Sequence, residues 1–486
     1  MTIIDKAIGY FNPKYAYESA QYRQALSLLG NGSYDGATRT PHYEVDLWGS
    51  TEDEDLQDLD TLRNTSRRKF KNNGFYQGVI EAATDHTIGS GLRAKSTVQT
   101  RAIPGLSEDK AKEIEKTLDD YFNSWADSTI SDVTAKDNFY QIQRLAYQIY
   151  KKDGDSFSSL PLTKIGNIKV IQISLIAAEN IQSNKTDYPN GIKVSKQGMP
   201  LSYSILQDDN TYKEFSAFKS GKRNILHIFN RKRAKISRGV PFLSPVMRDV
   251  DAIDQYMKYE LTAAKLAAIF FGSITTQAKE DVFGEDIDLA TGEQKQTVKN
   301  TVKENSITQL ATGDELKIHQ QGRDNPNYDK FIMTSLQKVS TQTRIPLEII
   351  LAQFVSSYSA SRAAMLQMMK FVKPERSLFV NSFCKPTRDQ VITWGILQGD
   401  IVIPDFFEYR SAYLKAIWIG DPMGSVDPMK DVNAKVKAID NNLCTYELAT
   451  SDLGYGDFET NVDILSKEKE LLLDKKLITE ESEIDG

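Results

Sequence analysis

A chain of 486 residues is too long for one hydrophobic core, so roughly two to four domains are expected. Its 40% hydrophobic and 26% charged residues allow a sizeable core. The net charge of −6 argues against a protein that grips nucleic acid over its whole surface, though not against one that lets DNA pass. Cys384 and Cys444 are far apart with no other thiol nearby, which fits a reduced cytosolic compartment and makes no metal pattern. No run of 18 apolar residues spans a bilayer, and MTIIDKAIGYF carries no signal-peptide pattern.

Residues 1–50, rich in Gly, Ser, Tyr, Asn and Thr, read as a partly extended arm with a short helical pattern at 15–29. Thr51-Glu52-Asp53-Glu54-Asp55 opens a helix that ends in Arg67-Arg68-Lys69-Phe70-Lys71. Those cations are either a phosphate-binding patch or, more economically, the basic end of a helix that begins acidic. A helix over 75–86 is followed by Gly89-Ser90-Gly91 and a strand. That order suits a helix cap better than a nucleotide loop. Amphipathic helices follow at 107–125, with Ala111, Ile114, Leu118, Tyr121 and Phe122 on one side, and at 138–150, with Phe139, Ile142, Leu145, Ala146 and Ile149. Between 155 and 229 come short β-prone runs (SFSSLPL, IKVIQISLI, GIKVS, SYSIL, YKEFSAF, ILHIF) separated by turn signals, giving an α+β domain.

Residues 230–238 hold Arg231, Lys232, Arg233, Lys235 and Arg238 and no acid. In a net-acidic chain this patch could touch DNA, meet an acidic surface of a neighbouring subunit, or be a solvated loop. A long helix comes next, with Val246, Val250, Ile253, Met257, Leu261, Ala264 and Ala268 on one face for about six turns. Pro245 suits its start and Gly272 its end, and Lys258, Glu260 and Lys265 exclude a membrane span. Asp251, Asp254, Lys258 and Lys265 lie on its polar sides. The segment 273–325 is too polar for a core of its own, apart from short strands at 307–310 and 316–318. It reads as an insertion completed by a partner chain. Asn327 caps a second helix, 328–343, stopped by Pro346, and the two helices form an antiparallel pair. Residues 349–359 (IILAQFVSSYS) top that pair. A third long helix runs to Gly399 with kinks at Pro374 and Pro386. Residues 401–419 look β-prone, Asp427 caps another helix, and the chain finishes acidic and largely helical.

Enzymatic motifs are missing. Gly221-Lys222-Arg223 lacks the earlier Gly and the hydroxyl residue of a Walker A loop, no His-Glu-x-x-His occurs, and the four histidines do not cluster. Acidic pairs such as Asp119-Asp120 and Asp208-Asp209 are better read as exposed carboxylates than as a Mg²⁺ site. No cofactor, metal or catalytic residue is expected.

The order of several pieces resembles the portal proteins of tailed double-stranded DNA bacteriophages, of the lambda-like group. They include Leu62-Arg63-Asn64-Thr65-Ser66-Arg67, Asn72-Asn73-Gly74-Phe75-Tyr76 and Ile88-Gly89-Ser90-Gly91-Leu92. His227, Arg238-Gly239-Val240-Pro241 and Glu260-Leu261-Thr262-Ala263-Ala264-Lys265 continue the series. Pro346-Leu347-Glu348, Tyr358-Ser359-Ala360-Ser361-Arg362-Ala363-Ala364 and Val426-Asp427-Pro428-Met429-Lys430-Asp431 complete it. Where the family commonly has Pro-Gly-Gln before Arg-Gly-Val-Pro, this chain has Ala234-Lys235-Ile236-Ser237.

The resemblance implies an α+β portal fold: an arm and wing (1–240), stem helices (241–271 and 327–344), a clip (272–326), a tunnel loop (345–360), wing helix and return strands (361–429) and a helical crown (430–486). It implies a ring, usually of twelve, at one capsid vertex in the virion, assembled in the host cytoplasm, through which double-stranded DNA is packaged and ejected. Implied partners are the terminase large subunit, a head–tail adaptor, and the major capsid and scaffolding proteins, with no membrane. Gln353, Phe354, Val355, Ser356, Ser357, Tyr358 and Ser359 would face the DNA, with Asp251, Asp254, Lys258 and Lys265 as channel-wall candidates. Twelve copies of −6 make about −72, which would repel DNA rather than trap it. The competing readings are another tail or capsid subunit, and a metal-dependent nucleic-acid enzyme.

Overall fold

The computed structural model describes residues 58–219, 221–234, 236–269, 272–275, 315–318, 325, 327–353, 357–422, 427–475 and 477. The helix expected at 15–29, the acidic opening at 51–55, the strand at 307–310 and the last residues of the chain lie outside them. The chain divides into two compact units, Asp251–Thr334 and the remainder on either side of it.

Among the described residues the larger unit begins with α1 (Leu59–Asn72) and α2 (Gly74–Thr87), joined at Asn73, whose side chain caps α2 by accepting from the Tyr76 N–H at 2.9 Å. The basic run closes α1, with Lys69 and Lys71 in its last turn. Gly89, at φ +58°, turns the chain out of α2 towards β1 (Arg93–Ser96), so Gly89-Ser90-Gly91 is a helix end. Ser107 caps α3 (Glu108–Asp127), which buries Ala111, Leu118, Phe122, Trp125 and Ala126. Asn138 and Gln141 form a reciprocal capping box on α4 (Phe139–Asp153). Here the expected face is corrected. Leu145 is exposed, while Gln143, Tyr147 and Tyr150 are buried. The Gln143 amide accepts from the Leu92 N–H at 2.7 Å and donates to the Leu92 carbonyl at 3.0 Å, so a polar side chain fills a core position by acting as a strand edge.

The strands that follow include β2 (Asp155–Ser159), β3 (Leu162–Ile165), β4 (Ile168–Ile171), β5 (Ser174–Ile176), β6 (Ile192–Val194), β7 (Pro200–Leu206), β8 (Tyr212–Ser216) and β9 (Ile225–Phe229). They make antiparallel sheets β9-β2-β5 and β6-β7-β8 and a β3–β4 hairpin. The apolar run after 167 splits into β4 and β5 at Gln172, whose buried amide donates to the Ile130 and Asp132 carbonyls. Phe122, Trp125, Phe139, Phe379 and Phe383 stack at centroid distances of 5.3–6.0 Å in the main core.

Pro245 sits in a single 3₁₀ turn (Ser244–Val246) that leads into α5 (Met247–Ile269). β10 (Gly272–Thr275) pairs antiparallel with β11 (Glu315–Ile318), so the polar excursion is closed at its base by its own two ends. α6 (Tyr328–Thr343) ends before Arg344, at φ +59°, and Pro346. α7 (Tyr358–Phe379) and α8 (Lys385–Gln398) are joined by a π turn, Val380–Cys384. Pro386 has no N–H for the ladder, and the widened turn lies just ahead of it. Gly399, at φ +84°, ends α8. Of the β-prone stretch at 401–419 only β12 (Ala416–Ile419) is a strand, pairing with β1. Ile401, Ile403 and Phe406 bury from turns against Leu118 and Ile392, so their apolar character came from packing and not from a sheet. Asp427 caps α9 (Pro428–Asp440), and α10 (Tyr446–Leu453) and α11 (Phe458–Asp474) follow.

Candidate functional site

Where the chain enters α5, two glycines force a close crossing. A Cβ on Gly239 would sit 2.0 Å from the Gly154 carbonyl oxygen, and Gly154 itself is at φ +93°. The crossing sets Arg238 on Asp155, the first residue of β2. The Arg238 Nε donates to Asp155 Oδ2 at 2.6 Å, and its other nitrogens donate to the carbonyls of Ile181 (3.0 Å), Asn190 (2.6 Å) and Ala178 (3.0 Å). From α1, Arg63 donates to Asp155 Oδ1 at 2.8 Å and to the Asp153 carbonyl at 3.0 Å. Burial alone would raise the Asp155 carboxyl; the Arg238 and Arg63 guanidiniums overcome it and hold the group well below the usual carboxylate range. Burial pulls Arg63 down to about 10 against the pull of Asp155. His227, on β9, lies between the rings of Phe157 (4.1 Å) and Phe229 (4.3 Å), with Nε2 3.6 Å from Asp155 Oδ2. Burial lowers its pKa, which favours the neutral ring.

This geometry corrects the basic patch. Arg238 is only 1% exposed, because its guanidinium is spent on Asp155 and three carbonyls. Arg231, Lys232 and Arg233 are exposed, and Lys235 lies outside the described residues. Arg67, in the earlier basic run, holds Asp153 through two hydrogen bonds (2.8 and 2.7 Å) and reaches Glu179 at 2.6 Å, as a helix end packed on its neighbours would.

A second buried ion pair joins α4 and α7. Lys151 Nζ is 2.9 Å from Glu375 Oε1 and faces the rings of Phe242 (4.3 Å), Tyr150 (4.7 Å), Phe371 (5.2 Å) and Tyr147 (5.3 Å). Tyr147 and Tyr150 each donate a long hydrogen bond, 3.4 Å, to Glu375 Oε2. The Phe242 N–H donates to the Lys151 carbonyl at 3.0 Å. Burial lowers the Lys151 pKa, while Glu375 opposes the shift. The pair ties α4 and α7 to the residues just before α5. In the sequence Lys151-Lys152 looks like an ordinary basic helix end, so nothing in the spacing reveals it.

The helix pair carries the channel-wall candidates. Within the larger unit Val246, Val250 of α5, and Leu336 and Val339 of α6 are buried, and Lys338 Nζ lies 2.8 Å from Asp249 Oδ1. Within the smaller unit Tyr256 packs on Tyr328 (5.6 Å) and Phe331 (4.6 Å), and Asn325 donates to the Tyr256 hydroxyl at 2.8 Å. Asp251 and Asp254 are half-buried; Lys258 and Lys265 are exposed, and Lys258 Nζ is 2.7 Å from Asp254. The apolar stripe outlasts its cover, since Met257 and Leu261 are 38% and 56% exposed.

Of the tunnel-loop candidates, Gln353, Ser357 and Ser359 are exposed, with the two serine hydroxyls 3.1 Å apart, and Tyr358 opens α7. Phe354, Val355 and Ser356 lie outside the described residues. Among the described residues no group of three His, Cys, Asp or Glu could hold a metal ion, and no helix is long and apolar enough to cross a membrane.

Residues 47–376 match the family model described as "Phage portal protein, lambda family". Portal protein B of Escherichia phage lambda is 22% identical over 423 residues, covering 78% of this chain and 77% of the relative. The portal protein of Escherichia phage N15 is 21% identical over 424 residues, covering 78% of each. A solved gene transfer agent virion contains a chain aligned at TM-score 0.47 and 12% identity, covering 85% of this chain and 95% of that one.

Proposed function

The chain belongs to the lambda family of phage portal proteins, and on that premise we propose that copies of it close into a ring, of twelve subunits, at one vertex of the virion capsid. Double-stranded DNA passes through the central channel during packaging and ejection. The observation that carries this reading is the stripe on α5. An apolar face that continues past what its own chain covers suits a neighbouring copy, as a closed cyclic assembly would supply. Asp251, Asp254, Lys258 and Lys265 then line the channel wall, and residues 353–359 form the loop nearest the DNA. Arg231, Lys232 and Arg233 meet phosphates or a neighbour's acidic surface. Residues 272–326 dock the terminase large subunit and the head–tail adaptor, and the wing meets capsid and scaffolding proteins.

The work of a conduit is to hold a shape while the polyanion slides. A ring of about −72 keeps phosphate contacts weak. The buried ion pairs at Asp155 and Glu375 hold the root of α5 against the wing. The ATP-driven motor is assigned to a separate docked protein. Deleting residues 353–359 should leave ring assembly intact and sharply reduce DNA packaging or retention. Loss of assembly in that deletion would make the loop structural and overturn its assignment.

A further inference from the structure

The β3–β4 hairpin turns on Gly166-Asn167, and its register sets Ile165 opposite Ile168 and Lys164 opposite Lys169. Directly opposed like charges destabilise a two-stranded ribbon, and an exposed isoleucine pair gains nothing in water. Ile165 and Ile168 are 38% and 55% exposed, and both lysines are exposed too. The base of the hairpin is fixed, since the Trp394 indole N–H donates to the Lys169 carbonyl at 3.0 Å. A firmly rooted tip whose lysine face is self-repulsive fits a partner that offers carboxylates to that face.

The same chain displays such a surface. Between 397 and 409 it carries Asp400, Asp405 and Glu408 and no Lys or Arg. Amid those acids Leu397, Val402 and Phe407 are 58%, 85% and 60% exposed. They stay outside because Ile401, Ile403 and Phe406 already fill the pocket beneath. We propose that the β3–β4 hairpin of one copy docks on the 397–408 surface of another by its lysine face, Lys164 and Lys169 meeting Asp405 and Glu408. The proposal rests on the ring reading and adds to it the contact that joins neighbours.

Native mass spectrometry at equal protein concentration tests this with wild type, K164E/K169E, D405N/E408K, all four changes in one chain, and an equimolar mixture of the two doubles. All four positions are exposed, so circular dichroism should match wild type. Each double variant alone should need about tenfold more protein to assemble. The four-change chain and the mixture should both recover, since each restores opposite charges across the contact. Rings from both double variants at wild-type concentration would overturn the hairpin contact and leave the ring reading standing. Recovery in neither the combined chain nor the mixture would also overturn it. A wild-type protein that stays monomeric would overturn the ring reading itself.

Discussion

Ion pairs hold two regions of the larger unit, and they teach opposite lessons. At the root of α5, Asp155 and Glu375 are buried with their arginine and lysine partners. At the C-terminal helices, Lys95 reaches Glu447 at 2.9 Å and also pairs with Asp457, while Arg362 reaches Asp431 at 3.1 Å, all partly in water. Ala449 is the one residue of α9, α10 and α11 that is buried among those described. Water screens the second set, so each of its pairs contributes little. In the first set neither partner can be removed without stranding the other in a dry site, so the pairs enforce a geometry more than they add stability.

Asp155→Asn strands Arg63 and Arg238 and should cost about 3–5 kcal/mol in denaturant unfolding; a loss below about 1 kcal/mol would show that water reaches the site. Lys151→Met should cost on the order of 3 kcal/mol, and adding Glu375→Leu should return most of it, because the second change removes the orphaned charge. A double variant as weak as the single would mean that the pair itself stabilises.

The pH response has a definite sign. The folded pKa of His227 lies below its unfolded value of about 6.5, so its contribution is complete above that pH and is lost as pH falls and the unfolded chain takes up the proton. Asp155, also depressed, acts in the same direction below about pH 4. Thermal melts should therefore fall between pH 7 and pH 5, and the His227→Gln variant should lose part of that slope. An unchanged slope would place the titration elsewhere. The smallest effect belongs to the C-terminal helices: Lys95→Ala should cost about 0.2–1 kcal/mol at low salt and nothing measurable at 1 M salt.

Helices and strands were legible where their signals are local. The Asp427 cap and the α6 limits at Asn327 and Pro346 follow from residues within a turn or two. What escaped the sequence depends on distant partners. Arg238 reads as one more cation in a basic loop until Asp155, 83 positions earlier, is brought beneath it. Gln143 looks polar and outward until Leu92 supplies a backbone edge, and Lys151 meets Glu375 from more than 200 positions away. At 401–414 composition misled, since turns bury apolar residues as well as strands do. The helices α5, α6 and α7 were legible as order and spacing, while the buried ion pairs beside them were not.

Closure of the chain into a ring is read directly by native mass spectrometry of the purified wild-type protein. The spectrum should show one closed species of twelve 54.8 kDa chains, with a central hole in electron micrographs. Monomers alone, or open filaments at high concentration, would contradict it.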